Sequence, residues 1–115
     1  MTATPAMITC DTTDALALAT WWAEQTGGTI TEENDGWFVI VAVPGSPHLA
    51  FQKVQDPTPG KNRLHLDVVT DDLDAEVARL RAAGAGLVAE RGDESFRWVT
   101  LTDPAGNEFC VAPRS

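Results

Sequence analysis

Two stretches of the chain carry the same succession of apolar and polar positions. TTDALALATWWAEQTGG (12–28) and VTDDLDAEVARLRAAGA (69–85) each bring Thr-Asp to a helix start, continue with helix-forming residues and close on glycine. Asp14 to Gly27 and Asp71 to Gly84 both span 13 residues, so the two stretches are read as copies offset by 71 − 14 = 57. An N-cap Asp accepts a hydrogen bond from a backbone N–H that the first helical turn leaves orphaned. A glycine just past the last turn takes up the left-handed conformation that closes the helix. In the second predicted helix Leu73, Val77, Leu80 and Gly84 share one face, while Asp74, Glu76, Arg79 and Arg81 lie elsewhere, the pattern of a helix resting on a sheet. The first is apolar almost all round, through Leu16, Leu18, Trp21 and Trp22, which predicts cover on a second side, for instance by a partner subunit.

The segments around these helices change period. AMITCDT (6–12) and RLHLDVV (63–69) precede the helices; GTITEE, GWFVIVAV and HLAFQKV follow the first, and GLVAERG, FRWVTLT and NEFCVA the second. They are short, rich in β-branched and aromatic residues, and separated by Asn-Asp-Gly, Pro-Gly-Ser-Pro and Asp-Pro-Ala-Gly-Asn turns. Each half reads βαβββ, with QDPTPGKN (55–62) as connector. The expectation is an α+β protein of one domain, 1–115, built from two tandem units at about 5–56 and 62–113, a size that supports one core.

Alternation along a strand assigns faces. Leu64, Leu66, Val68, Val99, Leu101, Phe109 and Val111 are expected under the second helix, leaving His65, Asp67, Trp98, Thr100, Glu108 and Cys110 on the opposite face. The repeat extends this to the first half: Trp98 is matched to Trp37 (98 − 37 = 61), Cys110 to Gln52 and His65 to Ile8.

Composition narrows the partners. The net charge is −9 with no Lys/Arg cluster, so phosphate backbones and anionic lipid would repel the chain, and neither nucleic acid nor a membrane is expected as a partner. No apolar run reaches 18 residues, and MTATPAMITC lacks the pattern of a signal peptide. Cys10 and Cys110 are the only cysteines, without CxxC spacing, as expected of a reduced, cytoplasmic protein.

The tandem βαβββ layout, with LAFQKV (49–54), NRLHLDVVTDDLDAEVARLRAAGA (62–85) and WVTLTDPAGNEFCV (98–111), resembles the vicinal oxygen chelate superfamily of glyoxalases, bleomycin-resistance proteins and extradiol dioxygenases, in particular its small glyoxalase-like members. The resemblance implies strands curving into a cup-shaped mixed sheet with helices outside, a ligand site inside, and a homodimer. On this reading Ile8, Cys10, Trp37, Val39, Ala50, Gln52, His65, Asp67, Trp98, Thr100, Glu108 and Cys110 line the cup. Two tryptophans with a few convergent polar groups suit a small apolar or aromatic molecule. Trp37, Gln52, His65, Asp67, Trp98, Glu108 and Cys110 are the expected ligand contacts.

The superfamily's metal-dependent members imply four ligands, which fall here on Ile8, Gln52, His65 and Cys110. Ile8 cannot ligate, and the carboxylate implied for the last strand is replaced by Cys110. A catalytic ion needs about three protein ligands, so the expectation is a binding protein without the metal site and without a cofactor. The alternative is a divalent-metal-dependent lyase, isomerase or dioxygenase, with His65, Gln52 and Cys110 as ligands. His65 itself has three readings: a structural residue, a ligand contact or acid–base group, and a metal ligand.

Overall fold

The computed structural model describes residues 2–114. The chain divides into two compact units, Met1–Thr58 and Pro59–Ser115, each built of one helix and one four-stranded mixed sheet.

In the first unit β1 (Met7–Thr12) leads into α1 (Ala15–Thr26), followed by β2 (Thr29–Glu32), a 3-10 turn (Asn34–Gly36), β3 (Phe38–Ala42) and β4 (His48–Lys53). The sheet order is β1-β4-β3-β2, with β1 parallel to β4 and the other pairs antiparallel. Helix α1 starts where its N-cap predicts: Asp14 Oδ1 accepts from Ala17 N at 3.1 Å. It ends at Gly27, in the left-handed region at φ 69° with its N–H on Ala23 O. Ala15, Leu18, Ala19 and Trp22 form one buried stripe of this helix, and α1 packs on β3 and β4. Leu16, outside that stripe, is 39% exposed, so among the described residues nothing covers that side of the helix.

The second unit repeats the plan with β5 (Asp67–Thr70), α2 (Leu73–Ala82), β6 (Gly86–Gly92), β7 (Arg97–Thr102) and β8 (Glu108–Pro113) in sheet order β5-β8-β7-β6. Helix α2 packs on β8 and buries Leu73 and Leu80. Among the described residues no helix is long and apolar enough to cross a membrane.

Three details correct the sequence reading. The N-cap of α2 is Asp72, whose Oδ1 accepts from Ala75 N at 3.1 Å, and not Asp71. The helices are therefore offset by 72 − 14 = 58 residues, one more than the Thr-Asp spacing gave. Gly28 and Gly86 obey the same offset. A Cβ on Gly28 would stand 2.8 Å from Val41 Cγ1 and 2.9 Å from Ala42 O; one on Gly86 would stand 2.6 Å from Thr102 Oγ1.

The second correction is that β5 begins at Asp67, so Arg63 to Leu66 precede the strand and Leu64 is 84% exposed rather than under the helix. Asn62 supplies the reason. Its side chain donates to Glu108 O at 3.0 Å and to Leu64 O at 2.6 Å, and accepts from Glu108 N at 2.7 Å. A side chain thus satisfies the backbone groups at the start of β8 that a longer β5 would have paired.

The third concerns faces in the first sheet. Val39 is opposite Phe51 and Val41 opposite Leu49, whereas Phe38 is opposite Gln52 and Ile40 opposite Ala50. Opposed residues share a face, so Val39 and Val41 lie with Phe51 and Leu49, on the more completely buried side, and not with Gln52. In β7 the pairs are Val99–Val111 and Thr100–Cys110. Val39 therefore corresponds to Val99, Trp98 to Phe38 and Cys110 to Ala50. The match of Trp98 with Trp37 was out of step by one residue, which exchanges the faces, whereas that of Cys110 with Gln52 was out by two and kept Gln52 on the face away from Phe51.

Candidate functional site

The second sheet places most of the expected residues together. Asp67 is opposite Cys110, Cys110 opposite Thr100, Thr100 opposite Ala89, and Thr102 opposite Glu108. Trp98, two residues from Thr100, is opposite Arg91. Asp67, Trp98, Thr100, Glu108 and Cys110 therefore share one face. The other face carries Val99, Leu101, Phe109 and Val111, at most 2% exposed. Burial of that apolar face dictates the register, and the register delivers the polar residues to the side left open.

His65 reaches this face from the segment before β5, its Nε2 3.5 Å from Asp67 Oδ1. One ligand atom each of His65, Asp67 and Cys110 lies within 4.8 Å of the others. Cys110 is half-buried, and its Sγ is 3.4 Å from the Thr100 hydroxyl. Thr100, only 3% exposed, also accepts from Arg91 Nε at 2.8 Å. At the β6–β7 end, Trp98 packs with Phe96, ring centroids 5.7 Å apart and planes at 33°. The face thus has a nitrogen, oxygen and sulfur cluster toward β5 and β8, and an aromatic pair with an arginine toward β6 and β7.

Arg91 and Phe96 were missed from the sequence. The available signal for Arg91 was its alternation with Ala89 in GLVAERG, which puts both on one face of β6. Phe96 also lines an open groove of about 310 Å³ with Leu73, Glu94, Ser95, Arg97, Pro113 and Arg114. The arginines of that groove are paired, Arg97 with Asp74 at 3.1 Å and Arg114 with Asp71 at 3.0 Å.

Two expected residues belong to the first unit. Trp37 precedes β3, is 62% exposed, and lies under the Lys53 ammonium at 5.0 Å from its ring centroid. Gln52 is exposed on β4 of the first unit, on the opposite face from Val39. Trp37 and Gln52 therefore do not belong to one surface of that sheet.

A tetrahedral ion with bonds of about 2.0 to 2.3 Å sets its ligand atoms roughly 3.3 to 3.8 Å apart. The His65–Asp67 separation of 3.5 Å falls in that range, and the whole cluster, at up to 4.8 Å, needs a contraction of about 1 Å. The third donor beside His65 and Cys110 in this unit is Asp67, a carboxylate that the sequence reading had not counted as a ligand. Imidazole, carboxylate and thiolate together suit zinc better than magnesium. The residues present fit a three-ligand site.

The DPAGN turn, the most distinctive piece of the resemblance, lies beside this face and holds structure. Asp103 is 4% exposed, and its Oδ1 accepts from Ala105 N at 3.0 Å and Asn107 N at 2.9 Å. Asn107 Nδ2 adds contacts at 3.3 Å to Oδ1 and 3.2 Å to Oδ2. Gly106 closes the turn at φ 88°. The carboxylate is consumed by the turn that aims β8.

Comparison with known proteins gives a consistent result. The glyoxalase/bleomycin resistance protein/dioxygenase family enzyme of Burkholderia phytofirmans PsJN superposes with a TM-score of 0.82 at 20% identity, covering 96% of this chain and 98% of that one. The fosfomycin resistance protein FosX of Listeria monocytogenes gives 0.80 at 13% identity, over 100% and 96%. TnmS3, an antibiotic binding protein from Streptomyces sp. CB03234, gives 0.71 at 21% identity, over 99% and 98%. At these identities the likeness is one of fold. No curated protein sequence matches the chain. The family model of the glyoxalase-like domain matches residues 7–112. Nearly the whole chain is thereby accounted for, and it belongs to the glyoxalase-like domain family.

Proposed function

We propose that the protein binds a small molecule with a flat apolar part on the open face of its second sheet, and that it does so without a metal ion. The observation that carries this reading is the Phe96–Trp98 pair on the same sheet face as the His65–Asp67–Cys110 cluster. Aromatic rings give such a ligand contact area, and a few polar groups beside them fix its orientation. In this reading Trp98 is the platform, and His65, Asp67 and Cys110 are the polar contacts, with Glu108 at their margin. The antibiotic binding described for TnmS3 supports the class of activity but supplies no ligand for this chain.

A second reading, a metal-dependent enzyme, is favoured by the spacing of the three donors. His65, Asp67 and Cys110 would hold the ion, which would supply Lewis-acid polarisation of a bound oxygen. The resemblance also carries a homodimer into the proposal, and Leu16 is an exposed apolar residue that an interface would cover.

The test is an NMR titration of chelator-stripped protein with aromatic small molecules, following the Trp98 indole N–H, with and without added zinc or manganese. Saturable shifts without metal, lost in Trp98→Ala, are expected. Shifts that occur only with the ion, and vanish in His65→Ala, would replace the first reading by the second.

A further inference from the structure

We infer that Arg91 makes the aromatic end of this face selective for an anion, so that the ligand class is a planar aromatic carrying a carboxylate or a similar acidic group. The inference rests on the binding face proposed above and names what it takes.

Three of the six arginines of the second unit are tied to carboxylates. Arg79 is tied to Glu76 at 2.7 Å, Arg97 to Asp74 at 3.1 Å and Arg114 to Asp71 at 3.0 Å. Each of these charges already has a carboxylate. Arg91 is held differently. Its Nε donates to the hydroxyl of Thr100 at 2.8 Å, a neutral group that is 3% exposed. Among the described residues its guanidinium has no carboxylate partner. The bond to a buried, β-branched side chain fixes the direction of the guanidinium without neutralising it. Thr100 is fixed in turn, packed on the sheet and 3.4 Å from Cys110 Sγ.

A guanidinium oriented through Nε keeps its terminal N–H groups for a bidentate acceptor, the geometry that carboxylates match. Arg91 is opposite Trp98 on the adjacent strand, so a ligand lying on Trp98 places its edge beside that charge. Two of the acidic groups nearby, Glu90 and Asp93, are otherwise placed or engaged. Glu90 points to the opposite face, 3.8 Å from Arg97. Asp93 accepts from Ser95 and Phe96 within its own turn. Asp67 is three strands away in the order β5-β8-β7-β6, beyond Thr100 and Cys110 on the same face. In a chain of net charge −9, an unpaired cation held beside an aromatic pair is a local reversal of sign that attracts an anion.

The experiment titrates the chelator-stripped wild type with 2-naphthoate and with its neutral counterpart 2-naphthamide, reading the Trp98 indole and the Arg91 Nε–H by NMR. The same titrations are run on Arg91→Gln, which removes the charge, and on Arg91→Lys, which restores charge without the fork. Naphthoate is expected to bind at least about tenfold more tightly than naphthamide, the effect of one charge-assisted contact. Arg91→Gln should abolish that preference, and Arg91→Lys should restore only part of it. The preference should also shrink as NaCl is raised from about 50 mM to about 500 mM. Equal binding of the two probes with Trp98 still shifting would overturn the anion inference and leave the binding face standing. No Trp98 shift with either probe would overturn both.

Discussion

Replacing Asp103 by Ala tests whether the most distinctive motif of the chain serves structure. The carboxylate accepts from two backbone N–H groups, of Ala105 and Asn107, and from the Asn107 amide, while it is itself almost fully buried. A hydrogen bond to a charged acceptor contributes about 1.5 to 3 kcal/mol net. The Ala105 N–H sits in an exposed turn and can be rehydrated, so about 1 kcal/mol is assigned to it. The half-buried Asn107 N–H loses about 2 kcal/mol, giving roughly 3 kcal/mol in all. With a urea m-value of about 1.5 kcal/mol/M, the unfolding midpoint should fall by about 2 M. Asp103→Asn keeps one acceptor oxygen but loses the charge and brings its own amide against that of Asn107, so it should fall by about half as much. Urea titration followed by far-UV circular dichroism reads both. An Asp103→Ala midpoint within about 0.3 M of wild type would refute the reasoning, and with it the view that DPAGN aims β8.

Gly28→Ala should destabilise by about 2 kcal/mol because its Cβ meets Val41 and the Ala42 carbonyl, whereas Gly27→Ala, strained at φ 69° but facing open space, should cost about 1 kcal/mol; paired denaturation curves give the order. The Arg79 hydrogen bond holds the Glu76 carboxyl below its ordinary 4.5, so its contribution is present above that value and is lost as pH falls through the lower, folded one. Glu76→Gln should accordingly cost about 0.5 kcal/mol at pH 7 and nothing near pH 3, measured by urea titration at both.

The fold class was legible because it rests on local signals. The caps at Asp14 and Gly27, the turn residues, and the two hydrophobic periods each act within a few residues, and each half carries a full set. The resemblance added the family, which the match over residues 7–112 establishes. In the second half the faces of Trp98, Thr100, Glu108 and Cys110 were also legible, since strict alternation around Val99, Leu101, Phe109 and Val111 leaves one register that buries all four.

What the sequence did not decide was register between the halves and contact across strands. Thr-Asp occurs at 13–14 and at 70–71, yet the second helix is capped by Asp72, and a one-residue slip is enough to send Trp37 to the wrong face. Asn62 delays the start of the fifth strand by bonding to Glu108, a residue 46 positions away. Asp67 joins His65 and Cys110, and Arg91 finds Thr100, only because the ladder sets β5 beside β8 and β6 beside β7. Local propensity fixes where helices and strands form. Which side chains meet depends on the pairing that buries the apolar face, and that free energy belongs to the assembled sheet.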